Sequence, residues 1–156
     1  MKTLKTLVCL MVLLATLSVK TYGHPSTGDY TNTINAYISS YINNDSRQMS
    51  KILADGACLK LSRGESLIVQ PKQVLVSFMH ESGKMVQNCE SKYEVIAKSG
   101  ALVIACVCFD YANATQRIYL TLERDTDKDW KITQVCKMIE DKEVIQQESK
   151  GLASNQ

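Results

Sequence analysis

The hydrophobic pattern of this sequence changes its period close to Lys84. Upstream of that residue, apolar side chains recur at steps of three and four, and Ile34, Tyr37 and Ile38 begin one such stripe. This spacing is typical of amphipathic helices. Downstream, segments of alternating apolar and polar residues are separated by turn signals such as Ser99-Gly100, which is typical of strands. Helices segregated from strands in this way predict an α+β fold.

Start and stop signals divide the two halves into separate elements. The first helix begins at Thr31, and Asp45 followed by Gln48 forms a capping-box pattern that opens the second. Pro71 and Gly83 bound a third helix. The buried side of this third helix is expected to consist of Val74, Leu75, Phe78 and Met79. The strands are expected in ACLKLS, ESLIV, VQNCESKYEVIAK, ALVIACVCFDY, TQRIYLTLER and DWKITQVCKMI. A strongly bent, mostly antiparallel sheet wrapped around the N-terminal helices would bury the stripe of the first helix.

The N-terminus has the pattern of a secretory signal peptide. Basic residues precede an apolar stretch from Leu7 to Val19, and the small residue Gly23 follows it. A transmembrane helix needs about 20 apolar residues, and Lys20 interrupts this stretch too early. We therefore expect residues 1–23 to be removed on export, which leaves a soluble product with no membrane insertion.

The exported chain would form a single domain. Its 156 − 23 = 133 residues suffice for one hydrophobic core. We expect a loose lead-in at 24–29, the domain itself at 30–140 and a polar tail at 141–156. Because residues 1–23 contain three of the 18 basic residues, 15 remain against 16 acidic ones, a net charge near −1. This balance offers no basic patch for nucleic acid.

Several short stretches within residues 30–140 resemble the nuclear transport factor 2-like superfamily. They are Tyr37, Asn44-Asp45, Leu53-Ala54-Asp55, Gln87 to Cys89, Arg117 to Leu122 and Trp130 to Ile132. Within the superfamily, the sequence is similar to the SnoaL-like, or lumazine-binding-type, group of secreted bacterial proteins. The resemblance implies a cone-shaped α+β barrel, a pocket between the first helix and the concave side of the sheet, and homodimers formed through the sheet. We expect Tyr37, Tyr41 and Phe78 to line the pocket.

Catalysis is not expected from this pocket, although the fold hosts both enzymes and binding proteins. Residues 34–61 align without gaps with the opening of the bacterial ketosteroid isomerases. Tyr37 then falls on their oxyanion tyrosine, whereas Leu61 falls on their general base, and a leucine cannot accept a proton. We therefore expect no catalytic residue, no cofactor, and either a small apolar or aromatic ligand or a protein partner. The alternative is a SnoaL-like isomerase, dehydratase or cyclase that uses Tyr37 as a hydrogen-bond donor.

The five cysteines that remain after export form no recognisable metal-binding pattern. Cys106 and Cys108 alternate on one strand and should share a face, but the CxxC spacing of zinc sites is absent. Pairing of two strands about the Ser-Gly turn would bring Cys89 close to Cys108. The resemblance implies that the first and last strands are neighbours, which would bring Cys58 close to Cys136. Disulfides Cys89–Cys108 and Cys58–Cys136 are therefore candidates, and five free thiols in the core are the alternative.

One strand carries a polar face that could form an interface. Arg117, Tyr119 and Thr121 alternate with apolar residues such as Ile118 and Leu120. If the apolar side faces the core, the polar side lies on the outer face of the sheet. Arginine and tyrosine are common in interfaces between subunits. We expect a homodimer through this face; the alternative is that the same residues form a polar wall of the pocket.

Overall fold

The computed structural model describes residues 29–63 and 65–141, and their elements follow the predicted order. The helices are α1 (Tyr30–Ile42), α2 (Ser46–Ile52) and α3 (Lys72–Glu81). The strands are β1 (Leu53–Arg63), β2 (Ser66–Pro71), β3 (Glu90–Lys98), β4 (Leu102–Asp110), β5 (Ala114–Arg124) and β6 (Trp130–Asp141). The expected signal peptide and the tail beyond Asp141 lie outside the described residues, as does most of the lead-in.

The strands form one curved sheet in the order β2-β1-β6-β5-β4-β3. All neighbouring pairs are antiparallel except β1 and β6, which run parallel. The α+β class and the curved, mostly antiparallel sheet are therefore confirmed. The sheet does not close into a barrel, since β2 and β3 are its two edges.

Polar side chains fix the ends of the helices. The Asp29 carboxylate accepts a hydrogen bond from the Thr31 N–H (3.3 Å), and the Asp45 carboxylate accepts one from the Gln48 N–H (3.0 Å). The predicted N-cap at Asp45 is thus confirmed. Between α1 and α2, Asn44 adopts a left-handed conformation (φ 51°), and its Nδ2 donates to the carbonyl oxygens of Met79 and Gly83. This residue therefore joins the bend after α1 to the end of α3.

The hydrophobic core lies between α1 and the inner face of the sheet, which is the face that the helices cover. Helix α1 contributes Ile34 and Tyr37. In β4 every second side chain from Val103 to Phe109 is buried, and in β5 the buried side chains alternate from Ile118 to Leu122. The fully buried residues of these two strands are Val103, Ala105, Val107, Phe109, Ile118, Leu120 and Leu122.

Helix α3 buries less of its surface than the sequence predicts. Met79 is buried and Leu75 is partly buried, but Val74 is 43% exposed and Phe78 is 65% exposed. The expectation that all four form a buried side is therefore wrong. The reason is the position of the helix, which lies beside β1 and the edge strand β2. Because β2 is the edge of the sheet, the sheet covers only a narrow stripe of α3.

Two strands begin at other residues than expected. β1 starts at Leu53, four residues earlier than predicted, and contains an irregularity between Leu53 and Cys58. β3 starts only at Glu90, because the segment before it is fixed to α1 instead of the sheet. There, the Gln87 N–H donates to the Ile42 carbonyl oxygen (2.8 Å).

Candidate functional site

A cavity of about 310 Å³ lies on the inner face of the sheet, between α1, α3 and the strands β1, β2 and β6. Its lining residues are Tyr37, Tyr41, Leu59, Lys60, Leu61, Ile68, Gln70, Leu75, Phe78, Val135 and Lys137. A larger depression of about 710 Å³ near Asn43 and His80 is more open and more polar. Small-molecule sites are usually enclosed and mostly apolar. The smaller cavity is therefore the candidate site.

The structure brings the three predicted pocket residues, Tyr37, Tyr41 and Phe78, to this one cavity. Tyr37 lies at its base and is only 2% exposed, whereas Phe78 lies at its mouth. The rings of Tyr37 and Tyr41 are stacked with centroids 6.0 Å apart, and the ring of Phe109 follows at 4.5 Å from that of Tyr41. The cavity thus has an aromatic wall, and the binding of a ligand to it stays a prediction.

One end of the cavity is polar. The Lys137 ammonium donates a hydrogen bond to the Tyr41 hydroxyl (2.9 Å), and this hydroxyl donates to Oε1 of Gln116 (2.8 Å). Behind them, Gln87 Nε2 donates to the Tyr41 carbonyl oxygen (3.0 Å), and the Tyr111 hydroxyl donates to Gln87 Oε1. Lys60, the second lysine of the lining, directs its ammonium away from the cavity, where it donates to Oε1 of Gln134 (3.1 Å) on the outer face of the sheet.

Burial raises the pKa of two tyrosines of this region. It raises the pKa of Tyr37 well above its ordinary value, and the neighbouring Tyr41 and Tyr111 raise it further. Burial also raises the pKa of Tyr111, with contributions from Tyr41 and Cys89. No hydrogen bond joins the Tyr37 hydroxyl to another described residue. At neutral pH, Tyr37 is therefore a protonated phenol that can donate to a ligand in the cavity.

The described lining contains no aspartate, glutamate or histidine. Leu61 and Tyr37 both line the cavity. In the alignment with ketosteroid isomerases, Leu61 corresponds to the general base and Tyr37 to the oxyanion tyrosine. The cavity therefore has a hydrogen-bond donor at its base but no carboxylate or imidazole that could remove a proton from carbon.

The sequence analysis did not identify Lys137 and Gln116 as residues of the pocket. The cause is a bulge in β6. Leu122 pairs with Ile132, but Thr121 pairs with Gln134, so one extra residue lies in β6. Counting alternate residues from Ile132 would direct Lys137 outward, whereas the bulge reverses the alternation and turns Lys137 inward. The sequence signal for this bulge was the spacing of the apolar residues Ile132 and Val135, which are three positions apart and do not fit an alternation of two.

The outer face of the sheet carries Arg117, Tyr119 and Thr121, opposite the buried Ile118 and Leu120. Because these three side chains point away from the cavity, the alternative of a polar pocket wall is wrong. Their role in a dimer stays a prediction.

Cys106 and Cys108 share the outer face with these residues, and their Sγ atoms are 4.0 Å apart. Burial and the neighbouring thiol of Cys108 raise the pKa of Cys106. The predicted common face of the CxC pair is present. Among the described residues, no three histidine, cysteine, aspartate or glutamate side chains are grouped as metal ligands would be.

The candidate disulfides are not formed, and all five described cysteines are free thiols. Cys108 pairs with Lys92, so strands β3 and β4 are shifted by one residue from the expected register. A shift of one residue turns a side chain to the other face, and Cys89 packs against the core. Cys58 pairs with Gln134 and is therefore only a diagonal neighbour of Cys136. Diagonal neighbours are about 7–8 Å apart, beyond the usual reach of a disulfide.

Comparison with solved structures shows the fold. A nuclear transport factor 2-like protein of unknown function from Silicibacter pomeroyi superimposes with a TM-score of 0.61 at 14% identity, over 71% of this chain and 92% of its own. A second, from Methylobacillus flagellatus, gives 0.60 at 19% identity over 70% and 88%. A ketosteroid isomerase-like protein from Erwinia carotovora gives 0.52 at 15% identity over 69% and 90%. The chain therefore has the nuclear transport factor 2-like fold, which confirms the resemblance seen in the sequence at the level of the fold.

No protein-family model matches the sequence, and no curated protein matches it. None of the described helices is long and apolar enough to cross a membrane.

Proposed function

We propose that this protein is an exported, non-catalytic module of the nuclear transport factor 2-like type that binds a small, mainly apolar or aromatic molecule in its inner cavity. The observation that carries the proposal is the cavity itself, where Tyr37 and Tyr41 form an aromatic wall opposite leucine side chains of β1. Its volume of about 310 Å³ is at the lower end of the range for small-molecule sites. A ligand with one or two rings, or a short alkyl chain, is of a suitable size.

Binding is favoured over catalysis by the chemistry of the lining. The seat of the general base in the isomerases corresponds to Leu61, and no other described lining residue is an acid or an imidazole. The alternative, a SnoaL-like enzyme, is supported by one observation, the Tyr37 hydroxyl, which is neutral and has no partner among the described residues. Conversion of a bound ketone or aromatic substrate, abolished by Tyr37→Phe, would favour the enzyme.

A thermal-shift screen against aromatic small molecules tests the proposal. We expect hits whose stabilisation grows with concentration, as binding to the native state requires. Leu61→Trp should fill the cavity and remove the shift. Leu67→Trp is the matched control, because Leu67 lies on the neighbouring strand β2, is 61% exposed and does not line the cavity. Hits that survive Leu61→Trp, or a screen without any hit, would contradict a ligand in this cavity.

Export is proposed from the pattern of residues 1–23, which combines basic residues, an apolar stretch and a small residue at Gly23. N-terminal sequencing of the protein found outside the cytoplasm should then begin at His24. An intact Met1 in that protein would contradict the cleavage.

Dimerisation through the outer face is the remaining part of the proposal. Arg117, Tyr119 and Thr121 lie there beside the half-buried cysteines of β4. Tyr119→Glu would place a carboxylate in the interface and should convert a dimer to a monomer in sedimentation experiments. Thr126→Glu, in the exposed turn between β5 and β6, is the control that should leave the mass unchanged.

A further inference from the structure

Lys137 lies between apolar neighbours on the inner face of the sheet. It pairs with Ile118 of β5 on one side and with Leu61 of β1 on the other. Ile118 is fully buried, and Leu61 lines the cavity. The Lys137 side chain is itself half-buried and reaches the cavity wall. An ammonium group is costly to hold in such surroundings unless an anion or several hydrogen-bond acceptors compensate the charge.

The protein supplies only neutral compensation. The Lys137 ammonium donates to the Tyr41 hydroxyl (2.9 Å) and lies 5.4 Å from the centroid of the same ring. The proton of this hydroxyl is directed to Gln116. An ammonium group has three N–H donors. Among the side chains that the structure describes, no carboxylate oxygen lies within 4.0 Å of Lys137, and the salt bridge found there joins Lys72, at the start of α3, to Asp55 of β1. The cationic end of the cavity therefore lacks a counter-ion within the described part of the chain.

We infer that the ligand of this cavity is a small amphipathic monocarboxylic acid, whose carboxylate binds to Lys137 and whose apolar body packs against Tyr37, Leu59 and Leu61. This inference rests on the proposed function and names the class of ligand. One cation suits one negative charge, and a carboxylate can accept from both the free ammonium protons and a nearby phenol. A phosphate would require further donors, and the described part of the lining has no arginine.

The geometry of the cavity orients such an acid. Lys137 and the Tyr41 hydroxyl mark its polar end, whereas Leu75 and Phe78 on α3 cover its apolar side. An acid that enters past Phe78 would have its carboxylate directed inward and its apolar body between the helix and the sheet. A neutral ligand of the same shape gains the apolar contacts but not the charged one.

Three pairs of acids and amides test the inference by calorimetry: benzoate with benzamide, 2-naphthoate with 2-naphthamide, and octanoate with octanamide. Each amide has nearly the shape of its acid but no charge. We use protein purified from cells that express all 156 residues. In at least one pair, the acid should bind about tenfold or more tightly than the amide, as expected for a hydrogen bond to a charged group. Equal affinities within every pair, or tighter binding of the amides, would overturn the inference.

Lys137→Met removes the charge with little change of volume and should bring the acid to the affinity of its amide, while the affinity of the amide stays the same. Lys131→Met is the matched control on the same strand, since the Lys131 ammonium donates to the Lys51 carbonyl oxygen (3.1 Å) at the surface. If Lys137→Met does not fold, the acid and amide affinities of the unchanged protein still test the inference. Binding of amides alone would preserve the proposed function and refute the inference; no binding by any of the six compounds would contradict both.

Discussion

The inner face of the sheet has a closed half and an open half. In the closed half, formed by β4, β5 and the start of β6, most inward side chains are buried beneath α1, and Val103 and Leu120 have no exposed surface. In the open half, formed by β1, β2 and α3, large apolar side chains such as Ile68 and Phe78 are exposed, and the cavity lies between the layers. Both halves have apolar inward side chains, so the difference comes from what covers them.

The two halves differ in how many neighbouring elements surround their strands. Strands in the middle of the sheet have neighbours on both sides, and α1 lies across them. Strand β2 has a neighbour on one side only, and α3 packs beside it with few buried residues. Close packing in the first half supplies stability. Incomplete packing in the second half leaves space for a ligand.

Truncation of leucines in the two halves should give the largest difference. Leu120→Ala in the closed half should lower the free energy of unfolding by about 3 kcal/mol, because it removes a fully buried side chain and leaves a void. Leu59→Ala in the open half should cost about 1 kcal/mol, since the cavity already leaves part of this side chain without neighbours. Urea unfolding measures both.

Ligand affinity, measured for the same two variants, tests the comparison a second time. Leu59→Ala should weaken binding in the cavity, whereas Leu120→Ala should not, as long as the protein is folded. Equal destabilisation by the two substitutions would remove the distinction between the halves.

The fold was predictable because its signals are local. The steps of three and four in α1, the alternation in β4 and β5, and the capping residue Asp45 depend only on neighbours in the sequence, and the structure has all of them where they were expected. The pocket residues Tyr37 and Tyr41 followed from a resemblance to the superfamily.

The rest could not be predicted because it depends on the pairing between distant segments. The bulge in β6 that turns Lys137 inward is visible only in the register with β5. A register change of one residue likewise separated Cys89 from Cys108. The exposure of Phe78 depends on where α3 lies relative to the sheet edge, which the apolar pattern of the helix does not encode.

High pH should produce the next largest effect, through the buried Tyr37 and the half-buried Tyr111. Burial raises the pKa of both Tyr37 and Tyr111 in the folded state above the ordinary value of about 10. Their contribution is therefore fully present below pH of about 10 and is lost as the pH rises towards the folded pKa, because only the unfolded chain ionises in that window. We expect the free energy of unfolding to fall less steeply above pH of about 10 in Tyr37→Phe than in the unchanged protein.

The matched control is Tyr93→Phe, since Tyr93 is 37% exposed on the edge strand β3. Urea unfolding between pH 8 and 11 measures how steeply the free energy of unfolding changes with pH in each variant. If Tyr37→Phe and Tyr93→Phe change the alkaline slope equally, Tyr37 is not buried at the base of the cavity.

A smaller effect is expected at the N-cap of α2, which connects the two halves. Asp45→Ala removes the acceptor for the Gln48 N–H and should cost about 1 kcal/mol in urea unfolding. Asp45→Asn should restore most of this loss, because asparagine is an equally good N-cap. Failure of asparagine to restore stability would mean that the negative charge, not the cap, stabilises this helix.

The smallest effect is expected at Phe78, although it is the largest apolar side chain of α3. Phe78→Ser should change the free energy of unfolding by about 0.5 kcal/mol or less, since the ring is already 65% exposed. At the adjacent position, Met79→Ala should cost about 3 kcal/mol, because Met79 is buried. The same Phe78→Ser variant should weaken ligand binding, as the ring lies at the mouth of the cavity. If Phe78→Ser destabilises the protein as much as Met79→Ala does, then a partner surface or another part of the chain covers α3, and the open half is closed in the functional protein.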